Sequence, residues 1–311
     1  MIYTCTLNPA IDLFVSMETF RPHTVNRTVE EDYQANGKGI NVSFILNRMG
    51  FNNTAMGFLG GFTGEYIDQQ LQLAGIATNF IPIDGITRIN IFINAEEEYK
   101  IVNKGPTIAK ADAEKMLDKI RSLPKKATLV VSGSLPPGMD ESIYEQIASI
   151  ARQRSIRLVL DISSPRLLDC LPYQPYLVKP NEDELAQFFG LPSLNEAGIQ
   201  EKGRELLERG AQQVLVSLGE RGSLYLSPET SIRVTSPQGN VVNTACSGDA
   251  LLASFLGRRM KGDSLIDALT YASAAGASTA FSKGLSDLSD VENLRQQVQV
   301  SVHSQSEVKL S

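Results

Sequence analysis

The segment Asn243-Thr244-Ala245-Cys246-Ser247-Gly248-Asp249-Ala250 passes from small polar residues into an apolar run, which is how a helix begins. Small residues at that point let backbone N–H groups converge on an anion, and the helix dipole favours negative charge there. An acid in the first turn suits the same dipole, so Asp249 has a purely structural reading. It also has a chemical one. A carboxylate beside an anion cradle formed by Cys246, Ser247 and Gly248 can take a proton from a hydroxyl nucleophile while the cradle holds charge developing on a phosphoryl group.

Four further segments have residue types suited to the same chemistry. Asn36-Gly37-Lys38-Gly39-Ile40-Asn41 opens another helix, with two glycines that permit close backbone approach and a lysine that adds charge. Gly133-Ser134-Leu135-Pro136-Pro137-Gly138 follows the strand-like run TLVVS, and the carboxyl end of a parallel strand is where α/β proteins place ligands. Lys179-Pro180-Asn181-Glu182-Asp183-Glu184 also follows a strand; Asn181 and Glu184 have capping-box spacing, or together organise Mg²⁺ while Lys179 faces phosphate. Ser217-Leu218-Gly219-Glu220-Arg221-Gly222 joins QVLVS to SLYLS as a hairpin-like turn. Neither a GxxxxGK[ST] loop nor a GxGxxG fingerprint after the first strand is present.

Composition narrows the classes of function. In 311 residues, 42% are hydrophobic and 21% charged, an ordinary globular balance. The net charge of −6 argues against nucleic acid or an anionic membrane as partner. No apolar run reaches the roughly 18 residues of a membrane span, and the amino terminus lacks a basic leader, so a cytoplasmic location is expected. Three cysteines without CxxC spacing make a disulfide framework or a cysteine zinc site improbable, and two histidines give a His-based metal site little to work with.

The elements that must position these residues alternate. TLVVS, Arg157–Asp161, Tyr176–Lys179 and Gln213–Leu218 are nearly all apolar, as strands buried on both faces are. Helices are predicted at Glu141–Arg152, Gly203–Arg209, Gly248–Met260 and Ser264–Phe281, the last rich in small residues that allow close packing. Such repetition implies a doubly wound, mostly parallel sheet with helices on both faces. The first third differs. Strands are predicted at Ile11–Ser16, Asn26–Tyr33, Arg88–Asn94 and Tyr99–Asn103, with helices at Gly39–Gly50 and Gly64–Gly75 between them. They read as a small β-sheet lid, inserted at about 11–33 and 87–104 in one domain spanning 1–311. One face of that sheet needs a cover: ligand, main body or a second copy, and a homodimer through the lid is expected.

Taken in order, the motifs resemble those of the PfkB (ribokinase-like) carbohydrate kinase family over essentially the whole chain. NGKGIN is similar to the family's GGKGxN, GSLPPG, KPNxxEL and SLGxxG are similar to their counterparts, and SGDA resembles its GAGD signature. TLNPAID and Thr87-Arg88-Ile89-Asn90 point to the sugar-phosphate branch, 1-phosphofructokinase and tagatose-6-phosphate kinase. The resemblance implies that Asp12, Gly37, Lys38 and Asn41 hold sugar hydroxyls, that Arg88 and Lys100 grip the phosphate already on the sugar, and that Ser134 touches one or the other. It implies that Lys179, Asn181, Ser217, Gly219 and Gly222 line an ATP site, with adenine beside Ala275 and Gly276, Glu184 near Mg²⁺, and Asp249 as catalytic base. The expected reaction is ATP-dependent phosphorylation of a ketohexose phosphate, fructose 1-phosphate to fructose 1,6-bisphosphate; tagatose-6-phosphate kinase and 6-phosphofructokinase are the neighbouring alternatives.

Two positions depart from the family pattern: Asn36 and Cys246 stand where its motifs carry glycine. Asn tolerates positive φ. For Cys246 the expectation is a φ below zero with the thiol turned into the apolar side of the following helix, leaving an active enzyme. The alternative is a narrowed cradle and a catalytically weak sugar-phosphate-binding protein. A dinucleotide-dependent oxidoreductase, the third possibility, lacks its fingerprint.

Overall fold

The computed structural model describes residues 1–304. In chain order the strands are β1 (Ile2–Thr6), β2 (Ala10–Ser16), β3 (Glu30–Asn36), β4 (Asn53–Leu59), β5 (Ala77–Thr78), β6 (Ile81–Pro82), β7 (Arg88–Asn94), β8 (Glu98–Ile101), β9 (Thr128–Ser132), β10 (Arg157–Asp161), β11 (Leu177–Val178), β12 (Val214–Ser217), β13 (Ser223–Leu226), β14 (Thr230–Val234) and β15 (Val300–Ser304). The helices are α1 (Lys38–Arg48), α2 (Gly61–Leu73), α3 (Lys110–Arg121), α4 (Ser142–Arg154), α5 (Leu167–Cys170), α6 (Glu182–Phe188), α7 (Glu196–Glu208), α8 (Ser247–Lys261), α9 (Leu265–Ala280) and α10 (Val291–Arg295).

The large sheet has the order β15-β14-β13-β12-β11-β10-β9-β1-β4-β5, with β6 also on β4. From β12 to β5 the strands are parallel; β13, β14 and β15 extend the sheet antiparallel. The central strands carry apolar residues on both faces because both faces are covered. In β9, Leu129 and Val131 pack with α3, α4, α6 and α7, while Val130 between them packs with α1, α8 and α9. This is the ribokinase-like α/β arrangement expected from the alternating runs.

The small sheet has the order β3-β2-β7-β8; β2 and β7 are parallel and the outer pairs antiparallel. Only three residues separate it from the central strand β1, so Asp12 is carried directly over the carboxyl end of the large sheet. β7 coincides with its predicted span. β3 starts later than predicted and runs to Asn36, because β2 pairs with it as far as Ala10↔Asn36. Pairing with β2 imposes extended structure on Gln34-Ala35-Asn36, which has little strand propensity.

Local chemistry sets several boundaries. Asn181 caps α6 by accepting the Glu184 N–H at 2.7 Å, and Glu184 returns a bond to the Asn181 N–H at 2.9 Å. Asn195 caps α7 through Gly198, which starts that helix seven residues ahead of the predicted Gly203. The SLGERG segment is the predicted turn between antiparallel β12 and β13. Gly222 there has φ +89°, and a Cβ would run into the Val234 carbonyl, so its glycine is required by packing.

Candidate active site

A cleft of about 810 Å³ opens at the carboxyl ends of the parallel strands, beneath the small sheet. Of the residues singled out in the sequence, Asp12, Lys38, Asn41, Lys179, Asn181, Ser217, Gly219, Gly222, Cys246, Ser247, Gly248, Asp249 and Gly276 line it. Segments more than 200 residues apart in sequence thus meet around one space.

Asp249 occupies the first turn of α8 and is 5% exposed. Asn41, from α1, donates to its Oδ2 at 2.8 Å. Burial raises the Asp249 pKa to about 7, and the nearby Asp161 pushes the same way; Lys38, the Asn41 hydrogen bond and Lys179 pull against them. A carboxylate poised near neutrality, with one oxygen held and the other uncommitted, is suited to accept a proton.

Asp161 is a central residue that the sequence reading passed over. It ends β10, wholly buried, and its Oδ1 lies 3.0 Å from Lys38 Nζ and 3.2 Å from Lys179 Nζ. Burial would raise its pKa, but the two ammonium groups outweigh burial and lower it. Its Oδ2 is buried without a hydrogen-bond partner among the described residues. The usable signal was positional: Asp161 closes an apolar strand just as Ser132-Gly133-Ser134 and Lys179 do.

Lys38 was expected among the sugar hydroxyls. It turns instead toward Asp161 and Glu184, 3.0 Å and 3.4 Å away. Burial would loosen its proton, yet Asp161, Glu184 and Asp249 together hold it well above the ordinary lysine value. Lys179 is 3% exposed, and a side chain on Gly248 would touch its Nζ. The start of α8 therefore has a cation beside it as well as its own amides.

On the lid, strand register decides which residues share a face. Asp12 is opposite Asn90, Phe14 opposite Phe92, and Phe92 opposite Lys100, so all five point the same way. Asn90 donates to Asp12 Oδ1 at 2.8 Å. Burial raises the Asp12 pKa to about 6, against the Asn90 bond and Arg88. Arg88 donates to the carbonyls of Asn8 and Asn103, at 3.0 Å and 2.9 Å, and its buried Nε has no partner among the described residues. Lys100 is exposed, ion-paired to Glu98 at 3.1 Å, one row farther along the face than Asp12.

Some predicted residues lie outside the cleft wall. Ser134 is exposed in the β9–α4 loop. Gly37 is the N-cap of α1 at φ +135°, pressed against Thr6 of β1. Ala275 is fully buried in the core; the edge of α9 that reaches the cleft is Ser273, Gly276, Ala277 and Ala280. Gly276 permits α9 to approach α8, since a Cβ would sit 3.2 Å from the Ser247 carbonyl. Glu184 uses Oε1 for Ser163 and Lys38 and Oε2 for the Asn181 N–H.

The expectation for Cys246 is corrected. Its φ is +66°, the left-handed region, and it is the N-cap of α8. Its thiol faces the polar cleft, where Asn41 and Asn36 donate to it at 3.1 Å and 3.6 Å. Burial, with Asp249 alongside, pushes its thiol pKa far up, so it is not an activated thiolate.

Fold and site together define a phosphotransferase acting on a small hydroxylated substrate. Residues 6–292 match the pfkB family of carbohydrate kinases, and the chain belongs to that family. It is 52% identical over 301 residues to the D-tagatose-1-phosphate kinase of Bacillus licheniformis, covering 96% of this chain and 99% of that one. It is 37% identical over 300 residues to the 1-phosphofructokinase of Bacillus subtilis, with 96% and 99% covered. The phosphofructokinase-2 of Escherichia coli, solved in complex with fructose-6-phosphate, superposes with a TM-score of 0.87 at 27% identity, over 95% of this chain and 98% of that one. The chain is an ATP-dependent sugar-phosphate kinase. Among the described residues, no helix is long and apolar enough to cross a membrane.

Proposed function

We propose that the chain transfers the γ-phosphoryl group of ATP to the 6-hydroxyl of a ketohexose 1-phosphate, giving the 1,6-bisphosphate. Fructose 1-phosphate and its C4 epimer tagatose 1-phosphate are the two candidate acceptors, the second favoured by the 52% identical relative. In this reading Asp12 and Asn41 hold sugar hydroxyls, Arg88 and Lys100 take the existing phosphate from the same lid face, and Lys179, Asn181, Ser217, Gly219 and Gly222 border the nucleotide. Asp249 accepts the 6-hydroxyl proton as the bond to phosphorus forms and the bond to the leaving ADP oxygen breaks. The amides at Ser247 and Gly248, with Lys38 and Lys179, face the charge on the transferring group.

Among the described residues no cluster of three or more His, Cys, Asp or Glu forms a metal cage. Mg²⁺ binds through few carboxylates, retained water and phosphate oxygens. The unpartnered Asp161 Oδ2 and the Glu184 carboxylate are the oxygens that would face it. When bound it neutralises charge on the phosphates. The location proposed is the cytoplasm, consistent with three unpaired cysteines.

The observation that carries the reading is Asp249: a buried carboxylate at a helix N-terminus, held through one oxygen, beside two lysines. ADP release should be measured with fructose 1-phosphate, tagatose 1-phosphate, fructose 6-phosphate and tagatose 6-phosphate. Turnover should be fastest with one of the two 1-phosphates. Preference for a 6-phosphate would move the acceptor hydroxyl, and turnover of none would favour the sugar-phosphate-binding alternative.

A further inference from the structure

The two positions that depart from the family motifs touch each other. Asn36 ends lid strand β3, Cys246 begins α8, and 210 residues separate them, yet Asn36 Nδ2 lies 3.6 Å from Cys246 Sγ. Asn41 is between them. Its Nδ2 donates to Asn36 Oδ1 at 2.8 Å, to Cys246 Sγ at 3.1 Å and to Asp249 Oδ2 at 2.8 Å. An amide nitrogen carries two hydrogens, so three acceptors compete for them and the side chain is fixed by all three. The orientation of Asn36 is fixed in turn. Its Oδ1 also accepts the Gly37 N–H at 2.5 Å, which leaves its nitrogen facing the thiol. Asn36 and Asn41 are 7% and 2% exposed, so water offers them little alternative partnership.

We propose that Asn36 and Cys246 act as one positioning pair, a clamp that holds the Asn41 amide on Asp249 Oδ2 and leaves the other oxygen free for the acceptor hydroxyl. The proposal rests on the reading of Asp249 as base. Neither member need touch the substrate. With glycine at both positions, Asn41 would lose two of its three acceptors and could swing away from the carboxylate. The left-handed backbone of Cys246 fits this view. Cysteine is a poor residue for that conformation, and glycine would adopt it freely. A side chain there must therefore contribute something glycine cannot, and the thiol's two amide donors are what the structure offers.

The clamp has a signature that simple packing lacks. The Asn41 bond favours the ionised form of Asp249. The other charged or titratable groups acting on Asp249 are Asp161 from β10, Lys38 from α1, Lys179 after β11, and the adjacent Cys246 thiol. Loosening the clamp leaves those in place and removes the amide, so the acidic limb of the kcat–pH profile should move to higher pH.

The experiment compares the wild type with Asn36→Gly, Cys246→Gly, the double variant and Cys246→Ser, using whichever ketohexose 1-phosphate turns over fastest. Each glycine variant should lose about 10-fold in kcat, at the low end of what general-base catalysis contributes. Sugar KM should rise less than kcat falls, since a loosened Asn41 weakens one sugar contact while Asp12, Arg88 and Lys100 keep theirs. The double variant should lose no more than either single, because partners acting as a unit are not additive. Cys246→Ser, which keeps an acceptor, should recover most of the rate. Multiplying losses, an unmoved acidic limb, or a Cys246→Gly enzyme as fast as wild type would each overturn the clamp.

A second measurement does not depend on turnover. Cys5 and Cys170 are buried, so iodoacetamide should label Cys246 first, read by peptide mass. Asn36→Gly should change that labelling rate at least about 3-fold at pH 8, faster where the opened access dominates and slower where loss of the amide donor, which favours the thiolate, dominates. Equal rates would refute the pair even if the wild type phosphorylates no ketohexose phosphate, a result that would separately sink the proposed reaction.

Discussion

At the scale of single residues, Asp249 is held in a state that is costly to the fold and useful to the chemistry. Its pKa is raised to about 7 from an ordinary carboxylate value of 3.8. Between those values the folded protein binds more protons at this site than the unfolded chain does. Stability therefore falls as pH rises through that window, and the loss is complete above about 7. Asp249→Asn removes the charge without changing the shape. With Asp249 as the proposed base, it should lower kcat by at least about 100-fold with little effect on KM. The same variant should melt higher than wild type at pH 8, with the difference shrinking toward pH 4 in a calorimetric series. A variant with near-normal kcat would remove Asp249 from its role, and one less stable at pH 8 would mean that the carboxylate is anchoring the lysines. Sequence pattern alone was enough to single out Asp249, because an acid in the first turn after small residues is a local pattern. Asp161 was not legible in the same way: what distinguishes it is the meeting of two lysines from different segments, which only the fold creates. Cys246 was misread for a related reason. Its left-handed φ of +66° sits at the N-cap of α8 on a residue that, unlike glycine, gives no sequence sign of that conformation.

At the scale of elements, the alternating apolar runs predicted the parallel strands β9 to β12 and helices between them, since burial on both faces leaves a continuous hydrophobic signature. The missed elements lacked it. β5 and β6 have two residues each and exist through pairing with β4. α3 has a strongly polar outer surface, with only Met116, Leu117 and Ile120 buried. The lid strands were found because they alternate, and β2–β7 pairing then places Arg88 beside Ala10 at the end nearest the large sheet. Arg88 ties the lid to its base: its guanidinium spans from the Asn8 carbonyl to the Asn103 carbonyl. Burial lowers its pKa, with Asp12 opposing, but an arginine stays charged throughout the working range. A fixed cation with an unpartnered Nε, near Asp12, is placed to take a phosphate that the sugar brings. Charge-assisted hydrogen bonds contribute about 1.5–3 kcal/mol each, so Arg88→Ala should lower kcat/KM for the sugar phosphate by at least about 10-fold. The KM for ATP should stay near wild type. Arg88→Lys keeps the charge but not the two-carbonyl span, and should recover only part of the loss. If the ATP KM rose instead, the assignment of the lid face to the sugar phosphate would be wrong.

At the scale of the whole molecule, the lid sheet poses the remaining question of what covers it. One of its faces bears Asp12, Asn90 and the stacked rings of Phe14 and Phe92, 4.8 Å apart between centroids. The reverse face packs Ile11, Ala35 and Ile89 against α1 and α2 near the large sheet. Farther out that reverse face carries Tyr33, Tyr99 and Ile101, of which 49%, 38% and 46% remain exposed. Apolar side chains clustered on a sheet that extends beyond its own body mark a surface for association. A sheet with unpaired edges also carries an aggregation hazard unless something shields it. A second copy would shield one face of the sheet in a closed twofold arrangement, whereas an unrelated partner would need its own complementary surface. We therefore expect a homodimer through the lid, burying on the order of 800 Å² per protomer. Sedimentation at micromolar concentration should give about twice the mass of one chain. Phe92→Asp charges the substrate-side face and Ile101→Asp the reverse, and the variant that sediments as a monomer identifies the face the second copy covers. That variant should also bind the sugar phosphate more weakly, because a lid without its partner has fewer contacts to fix Asp12 and Arg88 over the cleft, while its melting temperature, set by the large sheet, should change little. A wild type that sediments as a monomer at 50 micromolar would end the dimer reading and leave the lid's apolar rows to be covered by ligand or by the main body alone.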